Sequence, residues 1–379
     1  MNRRSIAWLT SGHFFTDLNQ GALPALLPFL MTEHQLSYAA AAGLMFANSL
    51  TSSIIQPLFG FYADRLDRPR LMPWAVLLAG LGLALLGWVD SYAAMFLAVA
   101  VSGIGVAAFH PEAARLANLA AGDKKATGIG LFGIGGNAGF AVGPLLGTFL
   151  VLAGGLKSTV FFLIPALCVC FFLQQRMRQF GSLSVKAAAA AVQSAPDNWP
   201  AFGRLSIVVI CRSILFAGLN TFIPLYWIHV LLQSHTAGSS ALTVLFSIGV
   251  IGTFFGGRWA DRYGYLKVIR TGYLLLIPVL LLFVSTEEPT LAMALLIPIG
   301  LSLFAPYSPT VVLGQKYLPR RMGFASGITL GLAVSVGGIA APGLGWLADQ
   351  YGLAFSFTIL TVLPVIAALA SYSLPKPAE

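Results

Sequence analysis

Charge is what this chain has least of. Only 9% of its 379 residues are Asp, Glu, Lys or Arg, where a soluble domain carries about 25%. That is too little charge to clothe a water-facing surface, and 57% of the residues are hydrophobic. A soluble globule is excluded, and lipid becomes the principal solvent. Cysteine is nearly absent. Cys168, Cys170 and Cys211 all lie in apolar runs, so a disulfide framework and a Cys/His metal motif are both unsupported. The sequence has no H-E-x-x-H, no G-x-S-x-G and no G-x-x-x-x-G-K-[ST], which removes the usual signatures of zinc hydrolysis, nucleophilic hydrolysis and ATP use. The five histidines, at 13, 34, 110, 229 and 235, are scattered. The expectation is a protein that is not an enzyme, with no cofactor and no metal site.

What is present is apolar sequence in long runs. A spanning helix needs roughly 20 mainly apolar residues. Spans are predicted at 5–31, 38–62, 71–89, 93–119, 127–151, 157–175, 204–231, 238–260, 267–285, 290–315, 323–347 and 352–373. The opening "MNRRSIAWL" has the charge of a signal peptide. The segment after it carries His13, Asp17, Asn19 and Gln20 and runs to Met31, too long and too polar for a cleaved leader. The predicted fold is therefore an all-α membrane protein of twelve transmembrane helices. Two six-helix halves, 1–175 and 204–379, flank a polar linker at 176–203 containing "APDNWP".

Charge placement orients this arrangement. Nineteen of the 22 Lys and Arg residues fall at the termini, in the linker, in even-numbered loops or within four residues of the span ends that adjoin them; Lys157 alone falls on the other side, and Arg115 and Arg212 lie deeper within spans. By the positive-inside rule both termini are expected in the cytoplasm. The net charge of +9 then reflects basic loops beside an anionic leaflet. It calls for a lipid bilayer as partner and for no nucleic acid.

The halves resemble each other. "FYADR" (61–65) matches "RWADR" (258–262) at an offset of 197, while "FHP" (109–111) matches "YSP" (307–309) and "GFAVGPLLG" (139–147) matches "GGIAAPGLG" (337–345) at 198. Parallel six-helix repeats with a site between them are a transporter architecture. Two G-x-x-x-D-R loops, Gly60 to Arg65 and Gly257 to Arg262, resemble the loop signature of the major facilitator superfamily. In the first copy Asp67 stands where that family usually has glycine; the second keeps Gly264. The resemblance implies that Asp64, Arg65, Asp261 and Arg262 latch an inner gate, with Arg115 near the same face. In the fifth span, Gly130, Gly139, Gly143, Pro144 and Gly147 resemble the antiporter motif of its drug exporters, with Thr148 replacing the usual final glycine. "SGHFFTDLNQGALPALLPFL" (11–30) and "FHPEAARLAN" (109–118) are similar to the fosmidomycin-resistance branch. That similarity implies an inner-membrane, proton-driven exporter of a small polar or anionic drug.

The polar residues inside the spans give the chemistry a place. His13, Asp17, Gln20 and Pro24 are spaced 4, 3 and 4, one face of a helix. An unpaired charge at mid-membrane costs at least ~3 kcal/mol, so a partner or a wet cavity is expected at Asp17. In the second span Asn48, Ser52 and Gln56 form another polar stripe, either cavity lining or interhelical hydrogen bonding. Pro111 leaves the Ala107 carbonyl without its helical donor beside His110, and Glu112 and Arg115 can pair three residues apart. Arg212, in the seventh span, suits an anionic phosphonate or carboxylate, unless it bridges permanently to Asp17.

The expected proton-coupling residues are Asp17, Glu112, His13 and His110. Arg212, Gln20, Asn48, Gln56, Asn137, Asn220 and Tyr307 are the expected substrate contacts. An anion arriving on Arg212 would raise the proton affinity of a nearby carboxylate, which is a means of coupling. The function that follows is proton-coupled efflux by a monomer, by alternating access. Export of an endogenous metabolite or metal chelator, or proton-coupled import, are the alternatives.

Overall fold

A computed structural model describes residues 1–56, 59, 71–121, 125–177, 180, 196–318, 325, 328–329 and 333–376. These residues are helical, with no strand among them, and the chain divides into two compact units, 1–36 with 43–188 and 37–42 with 189–379. Eight helices among the described residues are long and apolar enough to cross a membrane. Large apolar side chains stand outward, such as Phe149 at 66% and Leu369 at 69% exposed. Such a surface is at home in hydrocarbon, where helices satisfy their own backbone groups.

In the first unit, α1 (Arg3–His34) begins where the Asn2 side chain accepts the Ser5 N–H at 3.1 Å, an N-cap. It continues through Pro24 and Pro28 and stops at Gln35, whose φ of 53° ends the helix left-handed. Next come α2 (Tyr38–Ser49), of which residues 43–49 belong to this unit, α3 (Leu71–Leu86), α4 (Tyr92–Ala121), α5 (Lys125–Gly154) and α6 (Leu163–Gln175). α2 runs on into a π-helical turn, Leu50–Ile54, and a 3₁₀ stretch, Leu156–Phe162, leads into α6.

The second unit contains α7 (Trp199–His229), α8 (His235–Tyr263), α9 (Tyr265–Ser285), α10 (Pro289–Phe304) and α11 (Tyr307–Tyr317). α12 (Ala333–Tyr351), α13 (Leu353–Leu360) and α14 (Val362–Tyr372) follow. The elements depart from the expected spans at several ends, most clearly in three places. α7 starts at Trp199 rather than 204, because the Asn198 side chain caps Ala201 N–H at 3.1 Å and Pro200 occupies the first turn, where it loses no hydrogen bond. The predicted span 290–315 breaks at Ala305 and Pro306, and the span 352–373 breaks at Thr361. Most of the 176–203 linker lies outside the described residues.

α1 and α5 are locked by glycine. A Cβ on Gly139 would fall on the Phe14 carbonyl, one on Gly135 on the Thr10 carbonyl, and one on Gly143 at 2.5 Å from the Leu18 carbonyl. Gly147 faces Ala22 more loosely, at 3.4 Å. The contacts advance four residues at a time on both helices. Two parallel ridges therefore mesh backbone to backbone, as small residues permit. The antiporter-like glycines are thus a packing seam against α1. Pro144 lies inside α5, and the packing around Gly130 lies outside the described residues. In the second unit α12 approaches α7 closely at the matching position Gly337, whose N–H donates to Ser213 Oγ at 2.7 Å.

Candidate functional site

The seam holds α1 so that its polar face meets α4. His13 Nε2 lies 3.1 Å from Asp17 Oδ2, one helical turn apart as their i, i+4 spacing dictates. His110 Nε2, from α4, lies 3.1 Å from Asp17 Oδ1 without hydrogen-bond alignment and 3.1 Å from His13 Nε2. Asp17 is 5% exposed and His13 9%. Leu9, Phe109, Phe132 and Leu173 belong to the buried apolar cluster packed alongside, and the Phe132 ring stacks on His13 with centroids 4.1 Å apart.

The far side of each imidazole is committed. His13 Nδ1 donates to the Phe132 carbonyl at 2.8 Å, and His110 Nδ1 donates to the Val106 carbonyl at 2.9 Å. A carbonyl oxygen can only accept, so each Nδ1 carries its proton and each neutral ring would turn a bare Nε2 inward. Two bare nitrogens and a carboxylate would then converge with nothing positive between them. The cluster therefore needs a cation, either an extra proton on one ring or a metal ion. Their ligand atoms all lie within 4.8 Å of one another, so donor type suits a small cation of either kind. All three are among the residues expected from sequence to couple protons, but helical spacing groups only His13 and Asp17, because His110 comes from a second helix.

Gly136 keeps the space open. A Cβ there would collide with His13 Nε2 and sit 2.5 Å from Asp17 Oδ2. It lies outside the recognised glycine pattern and was not singled out from sequence. Glu112 is buried at 4%, but the α4 residue that meets Asp17 is His110. The Arg115 side chain, and Asp64 and Arg65, lie outside the described residues.

Gln20 Nε2 donates to Asn48 Oδ1 at 2.9 Å, so this part of the polar stripe ties α1 to α2. Ser52 Oγ, in the π-helical turn, is buried without a hydrogen-bond partner among the described residues. Gln56 and Asn137 are half-buried.

In the second unit Arg212 of α7 is half-buried. Its guanidinium lies 4.5 Å from the Tyr307 ring centroid and 5.9 Å from that of Phe304, and Nε donates to the Leu303 carbonyl at 3.4 Å. Among the described residues of its unit, no carboxylate pairs with it. The cation is thus held by π-faces and a carbonyl, leaving its charge for an anion. Asn220 is 6% exposed, and its Oδ1 has no partner among the described residues. Asp261 and Arg262 are exposed at the end of α8, with Arg262 over Tyr263 at 5.3 Å, and among the described residues they make no ion pair.

The chain matches the Major Facilitator Superfamily over residues 9–342 and again over 205–379. It is 32% identical over 371 residues to the uncharacterized MFS-type transporter YfnC of Bacillus subtilis (strain 168), covering 94% of this chain and 90% of that protein. It is 28% identical over 371 residues to the fosmidomycin resistance protein of Escherichia coli (strain K12), covering 96% and 91%. A bacterial homolog of the human lysosomal transporter Spinster has the same fold, with a TM-score of 0.79 at 16% identity over 97% of this chain and 95% of that one.

Proposed function

The chain belongs to the Major Facilitator Superfamily and is a membrane transporter rather than an enzyme; we propose that it exports a small polar or anionic compound, of the fosmidomycin type, in exchange for protons. The observation that carries this reading is the His13–Asp17–His110 cluster, whose three inward-facing acceptors require a shared cation. A proton is the cation an antiporter must take up and release. In this reading Asp17 and the two histidines hold it, Glu112 is the acid next along α4, and Arg212 stacked on Tyr307 receives the anionic group of the substrate. Binding of one alters affinity for the other, as linkage requires.

The 28% identity to a fosmidomycin resistance protein supports an anionic drug as cargo, and the resemblance of the α5 glycine pattern to the antiporter motif supports export. In the same reading twelve spans form two six-helix halves, 1–175 and 204–379. Both termini are cytoplasmic, the Asp–Arg loops gate the inner face, and the protein works as a monomer in the cell inner membrane.

The test is collapse of a pH gradient in sealed vesicles containing the protein, with fosmidomycin added, wild type beside Asp17→Asn. Substrate-dependent proton movement that vanishes in the variant supports the reading. Its absence in the wild type removes the drug assignment.

A further inference from the structure

A second site of different chemistry lies on the outside of the second unit. A cavity of about 500 Å³ runs between α8, α9 and α10, lined by Trp259, Leu275, Val279, Pro298 and Leu301 among others. It is almost wholly apolar and opens outward. At its end it meets a second cavity, of about 570 Å³, and the two share Tyr263, Lys267 and Thr271. The second cavity is basic: Lys267, Arg270, Lys316 and Lys376 line it with Tyr263 and Tyr372.

The four cations are not equivalent. Arg270 is spent on the end of α14, donating to the carbonyls of Ser371, Tyr372 and Leu374. Lys267 and Lys316 are exposed and rest over tyrosine rings, 5.6 Å from Tyr263 and 5.8 Å from Tyr265. Lys376 is exposed at the rim. Among the described residues none of the four pairs with a carboxylate. Three ammonium groups therefore surround a hollow that contains no negative charge of its own.

Length decides what fits. From Lys267 to Val279 the apolar trench follows α9 for twelve residues, about 18 Å of helix. One leaflet of the hydrocarbon core is half of ~30 Å. The trench thus runs about the depth of a leaflet, with lysines and tyrosines at the level where headgroups lie. We infer that the joined cavities bind an anionic phospholipid, its phosphate among Lys267, Lys316 and Lys376 and one acyl chain along Leu275, Val279 and Leu301. Basic pockets between membrane helices recognise anionic headgroups in this way, and in the proposed orientation, with both termini cytoplasmic, this end lies beside the anionic leaflet.

The experiment is native mass spectrometry and thermal melting of the full-length protein, purified and delipidated in detergent. Phosphatidylglycerol is compared with phosphatidylcholine of the same chains and with inorganic phosphate. Wild type is expected to retain phosphatidylglycerol and to melt higher with it, while phosphatidylcholine and phosphate do neither. The Lys267→Gln/Lys316→Gln variant is expected to bind phosphatidylglycerol about thirtyfold more weakly, from two lost surface cations. Val279→Trp, which fills the trench and leaves the charges, is expected to weaken it as well. Lys157→Gln, on a lysine in the other unit, is expected to change nothing. Equal retention of the two lipids, unchanged binding in the lysine variant, or the same melting shift with phosphate alone would each overturn the inference.

Discussion

The Nε2 atoms of His13 and His110 lie 3.1 Å apart although 97 positions separate them in the chain. Each is forced inward because the opposite nitrogen of its ring is occupied by a backbone carbonyl, that of Phe132 or of Val106. Asp17 closes the triangle.

Asp17→Asn removes the negative corner and leaves the shape. Proton movement with substrate is expected to fall at least about tenfold, since a hydrogen bond to a charged group contributes about 1.5–3 kcal/mol. Substrate binding to the detergent-solubilised protein, measured by calorimetry, should persist within a few-fold. Loss of both would make Asp17 a folding residue.

His110→Gln deletes one of the two inward nitrogens while keeping a polar side chain. The remaining groups facing the site are His13 and Asp17 of α1, with Gly136 of α5 against both. With fewer converging acceptors, the demand for a shared proton falls. The pH profile of transport is expected to flatten, with transport down a substrate gradient retained. A profile identical to wild type would exclude His110 from proton handling.

Gly139→Ala pushes a methyl group into the Phe14 carbonyl and should lower stability by about 1–3 kcal/mol, the usual cost of overpacking. Gly147→Ala, where the nearest atom is 3.4 Å away, should be near neutral. Melting temperatures of the two purified variants give the comparison, and equal values would contradict the seam.

Arg212→Lys keeps the charge but gives up the guanidinium held over the Tyr307 ring. The substrate KM is expected to rise about tenfold for an anionic substrate, with less effect on the maximal rate, because an ammonium cannot reproduce bidentate, stacked binding. Tyr307→Phe preserves the ring and should stay close to wild type. Radiolabelled uptake into inverted vesicles separates the two parameters.

Asn198→Ala should cost about 1 kcal/mol through loss of the α7 cap, visible as a lower melting temperature with unchanged transport per folded molecule. An Asn198→Ser variant should recover most of it.

Much of this architecture could be read from local pattern. The i, i+4 spacing of His13 and Asp17 placed them on one face, since helical periodicity is local. Which α4 residue would join them was not readable: Glu112 and His110 were both candidates, and the register of α4 against α1 is a tertiary fact. Gly136 escaped for the same reason, although the run Gly135, Gly139, Gly143, Gly147 mirrors Thr10, Phe14, Leu18, Ala22 and could have suggested the pairing. The early start of α7 did have a signal, Asn-x-Pro at 198–200, hidden within a stretch whose composition resembles a linker. The π-helical turn at Leu50–Ile54 has no comparable signal, because one extra residue in a helix alters no periodicity that a short segment reveals.

The interlock of α1 and α5 has a mechanical consequence. With carbonyls resting where side chains would otherwise act as cushions, neither helix can slide along the other without lifting out of its groove. α1 and α5, with His13 and Asp17 on α1, are therefore expected to move as one piece, and His110 joins them from α4. Amide hydrogen exchange along this seam should accordingly be among the slowest in the protein, in loaded and empty states alike.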